Sequence, residues 1–218
     1  MTPRLHFTPR VGELGELLGV AVDGGRYRLF HSQGSAVSDD LVLWTETGEA
    51  GEAPAGQRFF PLGPDWVDLR PDADGRIGFG IGGYDGSVFT ARARGVFGWG
   101  GVGMPVTFAD AAGRRCLVAG VGGSVSLPWV LSVRDDRLLA APHPHLDRYL
   151  ITGAAGLTVA GGEIRDHGEV ILRMPAGGET VVLADGDIVE AAVEGVSGLG
   201  AARRRGPATP GARMMRFA

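Results

Sequence analysis

The chain has 218 residues, enough for one generous domain or two small ones. Hydrophobic residues make up 44% and charged residues 21%, the profile of a folded globular protein, which excludes wholesale disorder. With 21 basic and 25 acidic side chains the net charge is −4, so there is no global positive field for nucleic acid.

Glycine is over-represented, at 38 residues, and is spread without a collagen-type period. That distribution implies many tight turns between short strands, because glycine takes positive φ at no steric cost. Every basic residue other than histidine is arginine, which fits a GC-rich coding sequence. The single cysteine, Cys116, excludes an internal disulfide and a multi-cysteine metal site. The opening residues carry no apolar leader core, and no uninterrupted apolar run approaches ~18 residues, so no membrane partner and a cytoplasmic location are expected.

In chain order, residues 18–22 and 27–31 flank Asp23-Gly24-Gly25, a hairpin signal. Residues 77–81 and 88–90 follow turns at 72–75 and 84–87. Residues 105–108 and 115–121 form a strand, turn and strand around 110–114. From Glu169 the pattern recurs at 170–174, 180–183 and 188–193. Helical periodicity is nearly absent, the best candidates being the brief stretches 12–18 and 144–150. The fold class expected is all-β.

The phrase His6-Phe7-Thr8-Pro9-Arg10, with Gly12, Gly19 and Tyr27-Arg28-Leu29-Phe30, resembles the opening of glycoside hydrolase family 32, the invertases, levanases and inulinases. Residues 36–44 are similar to the family's Ala-Val-Ser-x-Asp-Leu-x-x-Trp phrase, and residues 83–90 to its Gly-Asp-Phe-Asp-Gly-x-x-Phe segment. Residues 105–115 resemble its Gln-Thr-Phe-x-Asp…Gly-Arg-Arg strand pair. Residues 124–142 look like the end of its catalytic domain, and residues 181–193 like a late strand pair of its C-terminal sandwich. These phrases occur in family order over most of the chain.

The resemblance implies a β-propeller carrying the site, followed by a β-sandwich. Propeller blades take ~40–45 residues, so residues 1–148 hold about three blades where the family closes five. The expected organisation is a reduced, incomplete propeller over 1–148, a sandwich remnant over 149–202 and a flexible basic tail over 203–218. Open blade edges would have to be covered or paired, which points to a homodimer or to a substantially altered propeller.

The resemblance also implies retaining hydrolysis of β-fructosides such as sucrose or fructan. That chemistry needs two carboxyl groups ~5–5.5 Å apart, a nucleophile and a general acid/base. The nucleophile position of the signature falls on Glu16, where the family has Asp. Glu13 and Glu16 also suit the exposed side of a short helical turn. The acid/base position falls on Leu62 of Leu62-Gly63-Pro64-Asp65, which has no proton to donate; Asp65 could stand in, or be a turn residue. The family's Arg-Asp-Pro motif is absent as such, although Asp68-Leu69-Arg70-Pro71-Asp72 holds the same residue types in another order.

Trp66 and Trp99, beside turn-rich segments, are candidate sugar platforms with Asp68, whereas Trp44 and Trp129 read as core. His143-Pro144-His145 lacks accompanying ligands and reads as a linker; no metal or other cofactor is expected. Cys116, in an apolar strand, reads as an inert buried thiol. Three readings therefore stand. One is a catalytically eroded relative that keeps carbohydrate affinity. The second is a weak retaining glycosidase using Glu16 and Asp65. The third is an assembly module pairing through open blade edges.

Overall fold

The computed structural model describes residues 3–10, 14–48, 52–54, 56–72, 76–153, 156–204 and 209–217, the side chains of residues 104, 209 and 210 excepted. Glu13, Arg205 and the turn residues 73–75 lie outside the described residues. The chain is all-β. Blade 1 consists of β1 (Leu17–Asp23), β2 (Arg26–His31), β3 (Gly34–Ser38) and β4 (Thr45–Glu46), antiparallel in that order. Blade 2 repeats the pattern with β5 (Phe59–Leu62), β6 (Asp65–Pro71), β7 (Ile77–Tyr84) and β8 (Phe89–Val96). A short β9 (Gly98–Gly100) leads to blade 3: β10 (Val102–Ala109), β11 (Arg115–Val121), β12 (Ser124–Val125), β13 (Trp129–Arg134) and β14 (Arg137–Pro142). Its order is β10-β11-β13-β14, with β12 added to β11.

A 3-10 turn (Pro144–Arg148) follows. After it come β15 (Ile151–Thr152), β16 (Leu157–Ala160), β17 (Glu163–Asp166) and β18 (Glu169–Arg173). The chain continues with β19 (Thr180–Gly186), β20 (Ile188–Val193), β21 (Leu199–Arg203) and β22 (Thr209–Phe217). They form a three-stranded sheet, β16-β17-β18, and a six-stranded one, β15-β22-β19-β20-β21-β9. The architecture is a reduced propeller of three blades joined to a small β-sandwich.

Side-chain alternation explains how the blades stack. On β11, Cys116 and Val118 face a core shared with Tyr27 and Leu29 of blade 1 and with Val106 and Phe108. The intervening Leu117 and Ala119 face a second core with Phe60, Val67 and Ile81 of blade 2 and Leu183 and Leu199 of the sandwich. Blade 3 is thus buried on both faces, with blade 1 on one side and blade 2 on the other. The sandwich closes on Ile164, Leu172, Val182, Val189 and Met215.

Burial also fixes the N-terminal segment. The Asp185 carboxylate accepts hydrogen bonds from the backbone N–H groups of Arg4, Leu5 and His6 at 2.7–3.0 Å. On the far side, Tyr149 after blade 3 donates to Asp40 of blade 1, and the His145 ring bonds the Asp40 carbonyl at 2.8 Å.

Three expectations are corrected. The segment after 202 is not a flexible basic tail, because residues 209–217 form β22 between β15 and β19, inside the six-stranded sheet. Arg204 is buried and donates to Asp166 at 2.6 Å, and Arg203 pairs with Asp187, so both charges are neutralised within the fold. The candidate helical stretch at 12–18 becomes strand from Leu17 onward, since Leu17 and Val20 are drawn into the blade 1 core. The stretch at 144–150 forms only the five-residue 3-10 turn.

Candidate functional site

A propeller enzyme needs a funnel along the axis where the first strands of its blades converge. Here the first strands leave a cavity of about 310 Å³, lined by Val20, Val22, Gly56, Gln57, Thr107 and Arg115 and by neither Glu16 nor Asp65. β1 runs beside β10, and the segment before β5 is wedged against both: Gly56 N–H donates to Leu18 O at 2.8 Å, and Thr107 Oγ1 to Gln57 O at 2.6 Å. A Cβ placed on Gly19 would lie 2.2 Å from Pro54 O, so the backbone approach itself depends on glycine.

Glu16 stands immediately before β1 with 69% of its side chain exposed, and its nearest cation is Arg58, at 3.7 Å. Asp65 opens β6 opposite Leu62, at the far end of β5 from Arg58. Four strand residues separate those two ends, roughly 13 Å. Among the described residues Glu16 pairs with Arg58 and Asp65 with Arg92, and no contact joins the two carboxylates.

The electrostatics of Asp65 point the same way. Arg92 Nη1 donates to its carboxylate at 2.6 Å, while Arg92 Nε donates to Asp136 at the same distance. The hydrogen bond from Arg92, outweighing the opposing effect of desolvation, holds the Asp65 carboxyl below the usual range. A carboxyl held ionised cannot serve as the proton donor.

Trp66 and Asp68 do come together. They occupy alternate positions of β6 and share its outer face, the one turned away from the Val67 and Leu69 side of the core. Phe59 stacks on Trp66 with centroids 4.8 Å apart, and Tyr84 meets both rings edge-on at 4.9–5.1 Å. Phe89 completes the group 5.4 Å from Phe59. Asp68 pairs with Arg70 in the next outward position. Blade 2 therefore groups an aromatic cluster and a carboxylate–guanidinium pair on one face, where Phe59 and Arg70 are exposed and Asp68 is buried. Phe59, Phe89 and Arg92 are the residues that sequence reasoning missed. The aromatic residues Phe59 on β5, Trp66 on β6 and Phe89 on β8 were the signal for the ring cluster, and Arg92 had none.

Trp99 belongs elsewhere, which corrects its reading as a pocket residue. It sits on β9, packs against the sandwich core and donates through Nε1 to Ser197 O at 3.3 Å. Trp129 is fully buried and Trp44 packs at the edge of the blade 1 core. A cavity of about 440 Å³ beside blade 1 is lined by Arg4, Thr8, Arg10, Trp44 and Glu46 among others, and by neither Glu16 nor Asp65.

One cluster has the composition of a metal centre. Ligand atoms of buried Asp110, Cys116 and His143 lie within 4.8 Å of one another. Arg114 already supplies the positive charge there: its Nε donates to Asp110 Oδ2 at 2.6 Å and its Nη2 lies 3.2 Å from His143 Nε2. Burial pushes the Cys116 thiol up to about 12, away from the thiolate a metal would bind. His145 N–H donates to His143 Nδ1 at 3.2 Å, which leaves the imidazole proton on Nε2, facing Asp110 Oδ2 at 3.1 Å. The donor set does not fit a bound ion.

The fold defines a class: a reduced propeller with an appended sandwich. No protein-family model matches the chain, and no curated protein sequence matches it. Among solved structures it is similar to sucrose-6-phosphate hydrolase from Lactobacillus gasseri, with a TM-score of 0.51 and 12% identity over 91% of this chain and 62% of that one. It is also similar to the Bombyx mori family 32 β-fructofuranosidase BmSUC1 in complex with sucrose, with a TM-score of 0.50 and 14% identity over 91% and 61%. A family 32 glycoside hydrolase from Bifidobacterium adolescentis aligns over all of this chain and 48% of its own, with a TM-score of 0.48 and 15% identity. The chain spans between about half and three-fifths of the length of these structures. It shares the fold of glycoside hydrolase family 32 in shortened form.

Proposed function

We propose that this protein is a non-hydrolytic relative of the family 32 β-fructofuranosidases that binds carbohydrate, a β-fructoside such as sucrose or fructan, through the aromatic face of blade 2. The observation that carries this reading is the Arg92–Asp65 ion pair. With Leu62 in the donor position and Asp65 held ionised, no proton is available for a departing sugar. Sugar affinity needs less. Trp66 and Phe59 offer an apolar ring surface, and Asp68 and Arg70 offer an acceptor and donors for hydroxyl groups.

The test is to incubate the purified chain with sucrose and levan, following fructose release and, separately, heat of binding. The expected result is binding without turnover, weakened at least tenfold by Trp66→Ala. Turnover that disappears in Glu16→Gln would restore the retaining glycosidase with Glu16 and Asp65, and absence of any sugar binding would remove the reading altogether.

One observation favours a second reading. The aromatic face of blade 2, where Phe59 keeps 36% exposure, would also suit a copy of this chain in a homodimer. Sizing in solution separates the two, because an assembly module runs as a dimer that Phe59→Ser dissociates.

A further inference from the structure

At the tip of blade 3, β13 ends on Arg134 and β14 begins on Arg137, joined by Asp135 and Asp136 with φ of 50° and 58°. This two-residue left-handed turn sets the two arginines directly opposite each other in the ladder. Their Cβ atoms are then about 4.5–5.5 Å apart, a spacing at which like charges destabilise a hairpin. The turn does not relieve them. Asp136 gives its carboxylate to Arg92 at 2.6 Å, and neither Arg134 nor Arg137 has a hydrogen bond or ion pair among the described residues.

Both arginines face the cleft between blade 3 and the sandwich. Arg134 lines a cavity of about 510 Å³ and Arg137 an adjoining one of about 540 Å³, and the two meet at Glu194 and Gly195. Gly195 has φ of +70°, and a Cβ there would lie 3.7 Å from Arg137 Nη1, so the guanidinium rests over bare backbone. The Glu194 carboxylate lies in the same cleft, with no side-chain partner among the described residues, and Ser132 adds a hydroxyl beside Arg134. The two adjoining cavities thus hold an unneutralised pair of arginines, one in each, an unused Glu194 carboxylate where they meet, the self-neutralised Arg216–Glu179 pair, and no aromatic surface.

We propose that this cleft binds a small anionic sugar, whose carboxylate or phosphate monoester is gripped by Arg134 and Arg137 and whose hydroxyls are read by Glu194 and Ser132. An anion between the guanidiniums removes the repulsion that the turn enforces, and Arg forks match either oxyanion in two-pronged fashion. The hydroxyls account for a carboxylate placed where a simple anion site would exclude one. The cleft is separate from the aromatic face of blade 2, so either site can fail without the other.

The test uses the full chain, with thermal unfolding and titration calorimetry against glucuronate, glucose 6-phosphate, inorganic phosphate and neutral glucose. The expected result is binding of at least one anionic sugar, at least tenfold tighter than inorganic phosphate, with none for glucose. The glucuronate and glucose 6-phosphate arms distinguish the carboxylate from the phosphate. Arg134→Gln and Arg137→Gln should each weaken that binding at least tenfold and raise the melting temperature of the ligand-free protein; Trp66→Ala should leave the binding unchanged. Unaltered affinity in both arginine variants would overturn the proposal. So would glucose binding as tightly as its acidic counterparts, phosphate binding as tightly as any sugar, or no binding at all.

Discussion

His6 Nε2 lies 2.6 Å from Glu190 Oε1, at a point where neither side chain has any exposed surface. The same imidazole meets Asp185 through Nδ1 at 2.9 Å. Glu190 in turn accepts from Leu127 N–H at 2.7 Å and Trp129 Nε1 at 2.6 Å. One buried residue therefore joins the N-terminal segment, blade 3 and the sandwich. Burial by itself would lower the His6 pKa, but the hydrogen bonds to Asp185 and Glu190, with their charges, push it up to about 9.

Stability should fall in alkali. The folded pKa of about 9 lies above the ordinary 6.5, so the contribution of His6 is fully present below about pH 6.5 and is lost as pH rises through 9. Its size is on the order of 3 kcal/mol. On the acid side Asp185, held below its ordinary 3.8 by His6 and the N-terminal N–H groups despite burial, contributes above that value and stops contributing as pH falls through its lowered pKa. Melting temperature measured from pH 6 to 10 checks the alkaline limb, which should flatten in His6→Gln.

Glu190→Ala should cost about 3–5 kcal/mol, because it strands the Nε2 side of a buried imidazolium, the Trp129 indole N–H and the Leu127 N–H, leaving Asp185 alone to hold the His6 charge. Urea unfolding gives the value directly. A loss below about 1 kcal/mol would show that the junction tolerates an empty acceptor.

Ending the chain at residue 204 should abolish cooperative unfolding. The cut removes β22, which separates β15 from β19 and buries Met215 in the sandwich core. Calorimetry of the shortened chain checks this, and a melting temperature unchanged from the full chain would mean that the sheet reseals without it.

Arg92→Ala should raise the Asp65 pKa to its ordinary value of 3.8 or above, since the hydrogen bond holding it down is gone and desolvation now acts alone. A carboxyl-carbon NMR titration reads this residue by residue. An unmoved titration would mean that another group keeps Asp65 ionised.

The blades were legible in the sequence because each hairpin carries its own turn chemistry. Asp23-Gly24-Gly25 marks the β1–β2 turn, read within a residue of the observed strands, and Asp185-Gly186-Asp187 marks the β19–β20 turn, although β19 runs on through Gly186, three residues past the expected end. What escaped is non-local. β22 looks like a tail because its arginines and Pro210 dominate a local reading, while its partner β19 lies well upstream. Asp185 reads as an ordinary turn residue, yet its carboxylate is buried under a segment about 180 residues away. The candidate site divides along the same line. The Trp66–Asp68 pairing follows from strand alternation, whereas the Arg92 contact that disarms Asp65 reaches from β8 across β7 to β6 and has no sequence mark.

β9 is only three residues long, yet it runs parallel to β21 as the outermost strand of the sandwich sheet, although it leaves the chain between blades 2 and 3. Splitting the gene near residue 148 would give two products, each with half of a severed ladder. Shuffling the propeller onto a different C-terminal module would require inventing a new dock for those three residues. The two lobes are for that reason expected to be inherited as a single evolutionary unit.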